Sequence, residues 1–269
     1  MSGLATAPAG SSPDVATLDR VRATEDAVHT VGGAWFFAPQ VRAVGEEAGI
    51  TDRFAFYAGG RGGATGDPTG EVVASCFAFF PARIVVEKYR TAIQGHNPHD
   101  VATLYATGQA AWARDVFGED QDWGRLAELG RRVADSVRPM GLPLFAAWRS
   151  MPRPEDPAAD MALAMQVLRE LRGDLHIQAV VTTGMTPLEA IIGKDGPERA
   201  AELFYAEPYP TPAEVAVRRE AVERLTDRLT APAWQALRPD EWDEVDHLLA
   251  SAVPLAVAST ARAEADAAS

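Results

Sequence analysis

The sequence predicts an all-α fold. Apolar residues recur at three- and four-residue spacing through most of the chain, prolines and capping residues punctuate those runs, and hardly any stretch alternates as a strand does. Two helical halves around an aromatic-lined interior are expected, 15–138 and 158–258, with Pro139, Pro143, Pro152, Pro154 and Pro157 marking the connection between them. An Ala/Gly/Ser/Pro-rich stretch at 1–14 reads as a flexible leader, and 259–269 as a frayed tail.

Taken in order, Leu18, Val21, Val28 and Val31 lie close to one helical face, with Asp14 or Thr17 as cap. Trp35, Phe36 and Phe37 follow, and Pro39 opens a helix over 40–48 that Gly49 closes. The stretch 54–70 carries Gly59, Gly60, Gly62, Gly63, Gly66 and Gly70, which predicts a mobile loop beside the aromatic cluster. The run 71–89 is almost entirely apolar, is interrupted at Pro81, and is expected to be buried on several sides. Amphipathic helices are expected over 101–117 and 123–137. After the connection, a helix from Pro157 to Leu171 is expected to stop at Gly173, and a second to start at Asp174. Thr186, Pro187 and Glu189 form a capping-box signature. A turn-rich segment, 193–212, then leads into helices near 213–229 and 240–258.

Composition bounds the function. Of 269 residues, 47% are hydrophobic and 23% charged, which excludes a wholly disordered chain. No run approaches the ~18 apolar residues that span a bilayer, so no membrane partner and a cytoplasmic location are expected. Cys76 is the sole cysteine, cannot form an internal disulfide, and is expected to be buried as a small hydrophobe. A net charge of −13 repels nucleic acid over the surface as a whole.

No phosphate-binding glycine loop, nucleophile elbow, zinc-binding helix or paired cysteine motif is present, so no cofactor and no metal are expected. His96 and His99 flank a turn and read as a solvated loop. The remaining candidates are scattered polar groups near the aromatics. His176, at the expected helix start, is the candidate general acid or base, with Asp174 as its orienting partner or cap; His29 and Tyr57 are further candidate catalytic groups. Trp35, Phe36, Gln40, Phe56, Arg61, Phe77, Phe80 and Arg172 are the candidate substrate-binding residues.

Several blocks, in order, resemble a known family. They are Val28-His29, Phe36-Phe37-Ala38-Pro39-Gln40, Phe56-Tyr57-Ala58-Gly59-Gly60-Arg61 and Phe77-Ala78-Phe79-Phe80-Pro81, then Pro143-Leu144-Phe145, Leu168-Arg169-Glu170, Arg172-Gly173-Asp174-Leu175-His176 and Pro232-Ala233-Trp234. Together they resemble the actinobacterial SalK/EvbL-like helix-turn-helix family over about 18–255. The resemblance implies an α-dominated fold with helix-turn-helix or winged-helix-like modules, and raises the weight of His29, Arg61, Arg172, Asp174 and His176. The chain departs from the family pattern at Gln40, where an acidic residue is usual, and at Leu171, where a histidine is usual. It also departs over 201–210, an acidic, proline-rich segment standing where the family has a wing.

These readings lead to a small-molecule-binding enzyme of specialised metabolism, doing non-redox acid–base chemistry on an apolar ligand in an aromatic pocket. A ligand-responsive helix-turn-helix transcription regulator is the alternative, and a non-catalytic metabolite-binding or resistance protein a third reading. Charge and the missing wing make DNA an unfavoured partner, and a homodimer is an allowed assembly.

Overall fold

The computed structural model describes residues 13–119 and 121–268. Among these residues the chain forms twelve helices and no strand. The expected leader falls almost wholly outside the described residues.

The first helix, α1 (Val15–Gly33), is capped by Asp14, whose carboxylate accepts from Thr17 N. Pro39 sets the first turn of α2 (Pro39–Glu47), and Gly49, at φ 80°, ends it. The glycine-rich stretch expected to be a loop is instead α3 (Arg53–Gly63), buried from Ala55 to Gly63. Its glycines permit close approach: a Cβ on Gly60 would collide with the Tyr105 ring, and one on Gly63 with the Pro98 carbonyl. Packing against α5 (Ala82–Ala92) and α6 (Pro98–Val116) therefore overrides the low helix propensity of glycine.

The apolar run divides at Pro81 as expected, into α4 (Gly70–Cys76) and α5. Further on lie α7 (Trp123–Asp135) and, inside the proline-rich connection, the short α8 (Pro143–Arg149). Gly173 does not end a helix. A single helix, α9 (Pro157–Thr182), passes through it, about 39 Å long at 1.5 Å per residue. This helix is the axis of the molecule, packing against α1, α6, α7, α8 and α11 (Pro212–Trp234). Between α9 and α11 runs α10 (Pro187–Glu202), with the Thr186–Glu189 capping box intact and a kink at Gly196–Pro197. The last helix, α12 (Pro239–Ala268), takes in residues 259–268, the described part of the C-terminal stretch.

One apolar core takes in residues between Val21 and Leu171 together with Ala231–Ala256, so it spans both sides of the 138–157 connection. Trp35, Tyr105 and Trp148 lie at its centre, fully buried, with Trp35 4.6 Å from Tyr105 and 6.0 Å from Trp148. A second, smaller core joins the end of α9 to α10 and α11 through Val180, Ile191, Val215 and Val222. No described helix is long and apolar enough to cross a membrane.

Candidate functional site

A cavity of about 540 Å³ opens at the seam between the two cores, within the range of small-molecule pockets, ~300–1,000 Å³. One wall is aromatic: Phe36, Tyr57 on α3, and Phe77, Phe79 and Phe80 in the turn 77–81 between α4 and α5. The facing wall is polar and comes from α9 and α11, with Arg169, Arg172, Asp174, His176 and Arg219. Phe204 forms part of the rim. It adopts φ 68° after α10, is 41% exposed, and its ring lies 5.3 Å from that of Phe54 in a tilted contact.

The charges of the polar wall are mostly matched. Arg61 spans from α3 to α9 and makes a two-pronged bond to buried Glu170, Nε to Oε1 and Nη2 to Oε2, both 2.6 Å, while its Nη1 donates to the Tyr57 hydroxyl at 2.7 Å. Glu170 also accepts from Gln166 at 2.5 Å. Glu223 sits between Arg172, at 2.7 Å, and Arg219.

Arg169 is different. It stacks 4.5 Å from the Phe36 ring, its buried Nε has no hydrogen-bond partner, and among the described residues no carboxylate pairs with it. Burial and the nearby Arg61 charge lower its pKa from the usual arginine value.

The neutral groups follow from these cations. His29, an exposed residue at the mouth of the cavity, lies beside Arg169, whose charge is the main cause lowering its imidazole pKa. His176 is held at about 3 by burial, reinforced by Arg172 and Arg219. Its Nδ1 lies 2.9 Å from Thr226 Oγ1, and that hydroxyl donates to Val222 O, also at 2.9 Å. We therefore assign the Nδ1–H tautomer, which leaves Nε2 to accept from Arg219 Nη1 at 3.5 Å. Because α9 is continuous, the depressed pKa of His176 does not come from a helix start. Asp174, likewise, caps α8 rather than its own helix, accepting from Phe145 N at 3.0 Å. Burial raises its carboxyl to about 7, against the lowering effect of that bond. Burial also pushes the Cys76 thiol up.

The cavity thus brings together His29, Phe36, Tyr57, Arg61, Phe77, Phe80, Arg172, Asp174 and His176. It does not include Trp35, Gln40 or Phe56. Trp35 is a core residue donating to Gly32 O at 2.8 Å, Gln40 binds Asp115 at 2.8 Å away from the site, and Phe56 packs edge-on to Tyr105. Sequence reasoning missed Arg169, Phe79, Lys194, Phe204 and Arg219 as lining residues. An available signal was the placement of Arg169 on a helix whose residues 158–168 are apolar or small on nearly every side.

A helix-turn-helix family matches residues 21–209, well over half of the chain. The chain belongs to the helix-turn-helix family. Comparisons with curated proteins and with solved structures found no match.

Membership corrects the expectation that DNA is an unfavoured partner, because the family points toward DNA binding and its match includes the segment up to Tyr209 on which that expectation partly rested. Net charge was a poor guide for a physical reason: DNA binding depends on one local face, not on the sum over the surface. An apolar ligand is also a poor fit to a lining that includes Arg169, Lys194 and Arg219.

No strand lies among the described residues, so any groove-reading element among the regular structures described is a helix. Buried from Ala55 to Gly63, α3 presents no face that could enter a groove. In contrast, α5 buries Ile84, Val85, Tyr89 and Ala92 and exposes Arg83, Glu87, Arg90 and Thr91 along one face, which Gln94 extends. It follows α4 after the five-residue turn 77–81, and α3 packs behind it.

Proposed function

We propose that this protein is a ligand-responsive transcription regulator in which α4, the turn 77–81 and α5 form the DNA-reading unit. The family match supports DNA binding, and the exposed face of α5 carries residue types that read base edges and phosphates, Arg83, Arg90, Thr91 and Gln94. The resemblance of the sequence blocks supports a position in the SalK/EvbL-like actinobacterial branch.

The observation that carries the ligand-responsive part is the position of Phe77, Phe79 and Phe80. They form the turn that sets α5 on α4 and are at the same time a wall of the cavity. A ligand that moves these rings changes the presentation of α5, which gives it different affinities for the reading-competent and incompetent arrangements.

The test is selection of bound duplexes from a random DNA pool by the purified protein, with and without an extract of the producing cells. An enriched sequence whose recovery changes with the extract supports the reading. Failure to enrich any sequence under either condition contradicts it.

A further inference from the structure

We infer that the seam cavity is the binding site for an organic acid with a flat aromatic or polycyclic body, its acid group held by Arg169 and its body lying against the phenylalanine wall. This inference does not depend on the DNA-reading proposal.

The argument starts from counter-charges. In a chain of net charge −13, the lining carries seven Arg and Lys side chains and three Asp and Glu side chains, so the cavity is locally cationic against the overall balance. Arg61 is neutralised by Glu170, and Arg172 and Arg219 share Glu223. Among the described residues Arg169 has neither an ion pair nor a protein hydrogen bond, and its Nε, like that of the ion-paired Arg219, is a buried orphan. A buried donor left without a partner is costly in a folded protein, and a ligand acceptor supplies the missing partner.

The backbone is shaped to hold this guanidinium in place. A Cβ on Gly33 would lie 3.1 Å from Arg169 Nε, and one on Gly32 would meet the Met165 carbonyl at 2.7 Å, so these glycines let α1 approach α9 and leave the Arg169 stem its course. The guanidinium carbon lies over the Phe36 ring, 4.5 Å from its centroid, which holds the cation against the aromatic wall.

The chemistry of the surroundings selects the charge of the ligand. His29 and His176, both neutral, add no cation, and Asp174, protonated over much of the range below pH 7, does not repel an anion at mildly acidic pH. With one unpaired guanidinium deep in the site and Lys194 exposed at its edge, a singly charged acid is matched better than a polyphosphate. The rings of Tyr57, Phe77 and Phe80, with centroids 5.3 Å to 6.3 Å apart, offer an apolar surface for the body.

The experiment is a fluorescence titration of the full chain, without DNA, using two probes that differ only in the acid group: anilinonaphthalene sulfonate and uncharged N-phenylnaphthylamine. The wild type is expected to bind the sulfonate about tenfold more tightly than the neutral twin. Arg169→Gln is expected to abolish that preference while leaving affinity for the neutral probe within twofold, and Arg228→Gln, an exposed α11 change outside the cavity, to alter neither. Equal affinities in the wild type, or a preference that survives Arg169→Gln, overturn the inference. Should Arg169→Gln fail to fold by circular dichroism, displacement of the sulfonate probe from wild type decides: naphthoate must compete about tenfold better than naphthol, and equal competition overturns the assignment. Because no DNA enters the assay, its failure leaves the DNA-reading proposal untouched, and loss of DNA binding leaves this one untouched.

Discussion

The ring of Phe80 lies 5.0 Å from the ring of Phe54, which joins the turn between α4 and α5 to the N-terminal turn of α3 at the edge of the cavity. Phe54 in turn meets Phe204 in a tilted contact, so the turn, the buried helix and the rim of the cavity form one aromatic chain. In a two-state account this chain is the element through which an occupant biases α5. Saturating anilinonaphthalene sulfonate is therefore expected to change DNA affinity at least fivefold in the wild type and less than twofold in Phe80→Ala, measured by fluorescence anisotropy. An equal change in both proteins removes Phe80 from the coupling.

The Arg61–Glu170 pair fixes α3 to α9 inside the protein. Removing one partner leaves the other buried without a counter-charge, which costs about 3–5 kcal/mol. Arg61→Met is expected to lose stability on that scale in urea unfolding, and Arg61→Met with Glu170→Gln to recover most of it. Equal destabilisation of the single and double variants would mean that packing, not charge, dominates at this position.

Two buried carboxyls make stability fall as pH rises from about 4 to 7, against His29 and His176, whose depressed pKa values make their own contribution rise up to about pH 6.5. Burial raises Asp174 to about 7 from an ordinary value of 3.8, and Glu25 to about 7 from 4.5, so the folded chain holds protons that the unfolded chain has released. Each contribution is fully present below the unfolded value near 4 and is lost as pH rises through about 7. For Asp174 the loss is about 4 kcal/mol on ionisation. Asp174→Asn keeps an acceptor for Phe145 N and is expected to be more stable than the wild type at pH 8, by a margin that shrinks as pH falls toward 4. An unchanged curve contradicts the assignment.

Gly60→Ala sets two effects against each other. Alanine favours a helix over glycine by about 1 kcal/mol, whereas the added methyl collides with the Tyr105 ring and overpacking costs ~1–3 kcal/mol or more. Because Tyr105 is fully buried and its hydroxyl is tied to Phe36 O at 2.9 Å, packing is expected to win and Tm to drop. A rise in Tm would show that α3 can shift away from α6.

Much of the helical architecture was legible because caps and apolar phase act locally: Asp14, Pro39, Pro81 and the Thr186–Glu189 box all work within a few residues of themselves. The sequence was misleading where tertiary packing overrode local preference. Glycines in α3 are required by Tyr105 and Pro98, which are distant in sequence, and Gly173 sits inside α9 because the helix is held from several sides. The site was half legible. Aromatic clustering pointed to Phe36, Tyr57, Phe77 and Phe80, but Arg169 stands next to Glu170 in the run Arg169-Glu170-Leu171-Arg172, and only the fold reveals that Glu170 serves Arg61 and, among the described residues, leaves Arg169 without a partner. Nor does net charge reveal that the exposed face of α5 carries Arg83 and Arg90.

The central claim is that α5 reads DNA. The measurement that tests it most directly is an anisotropy titration of the protein against its own upstream DNA over a range of salt concentrations, for the wild type and for Arg83→Gln with Arg90→Gln. The account predicts sequence-dependent binding that weakens with salt, and a variant that folds normally, binds at least tenfold more weakly and shows a log–log salt slope flatter by about 0.9 for each phosphate no longer neutralised. Wild-type binding no tighter than to random duplex, or a variant with unchanged affinity and slope, would contradict it.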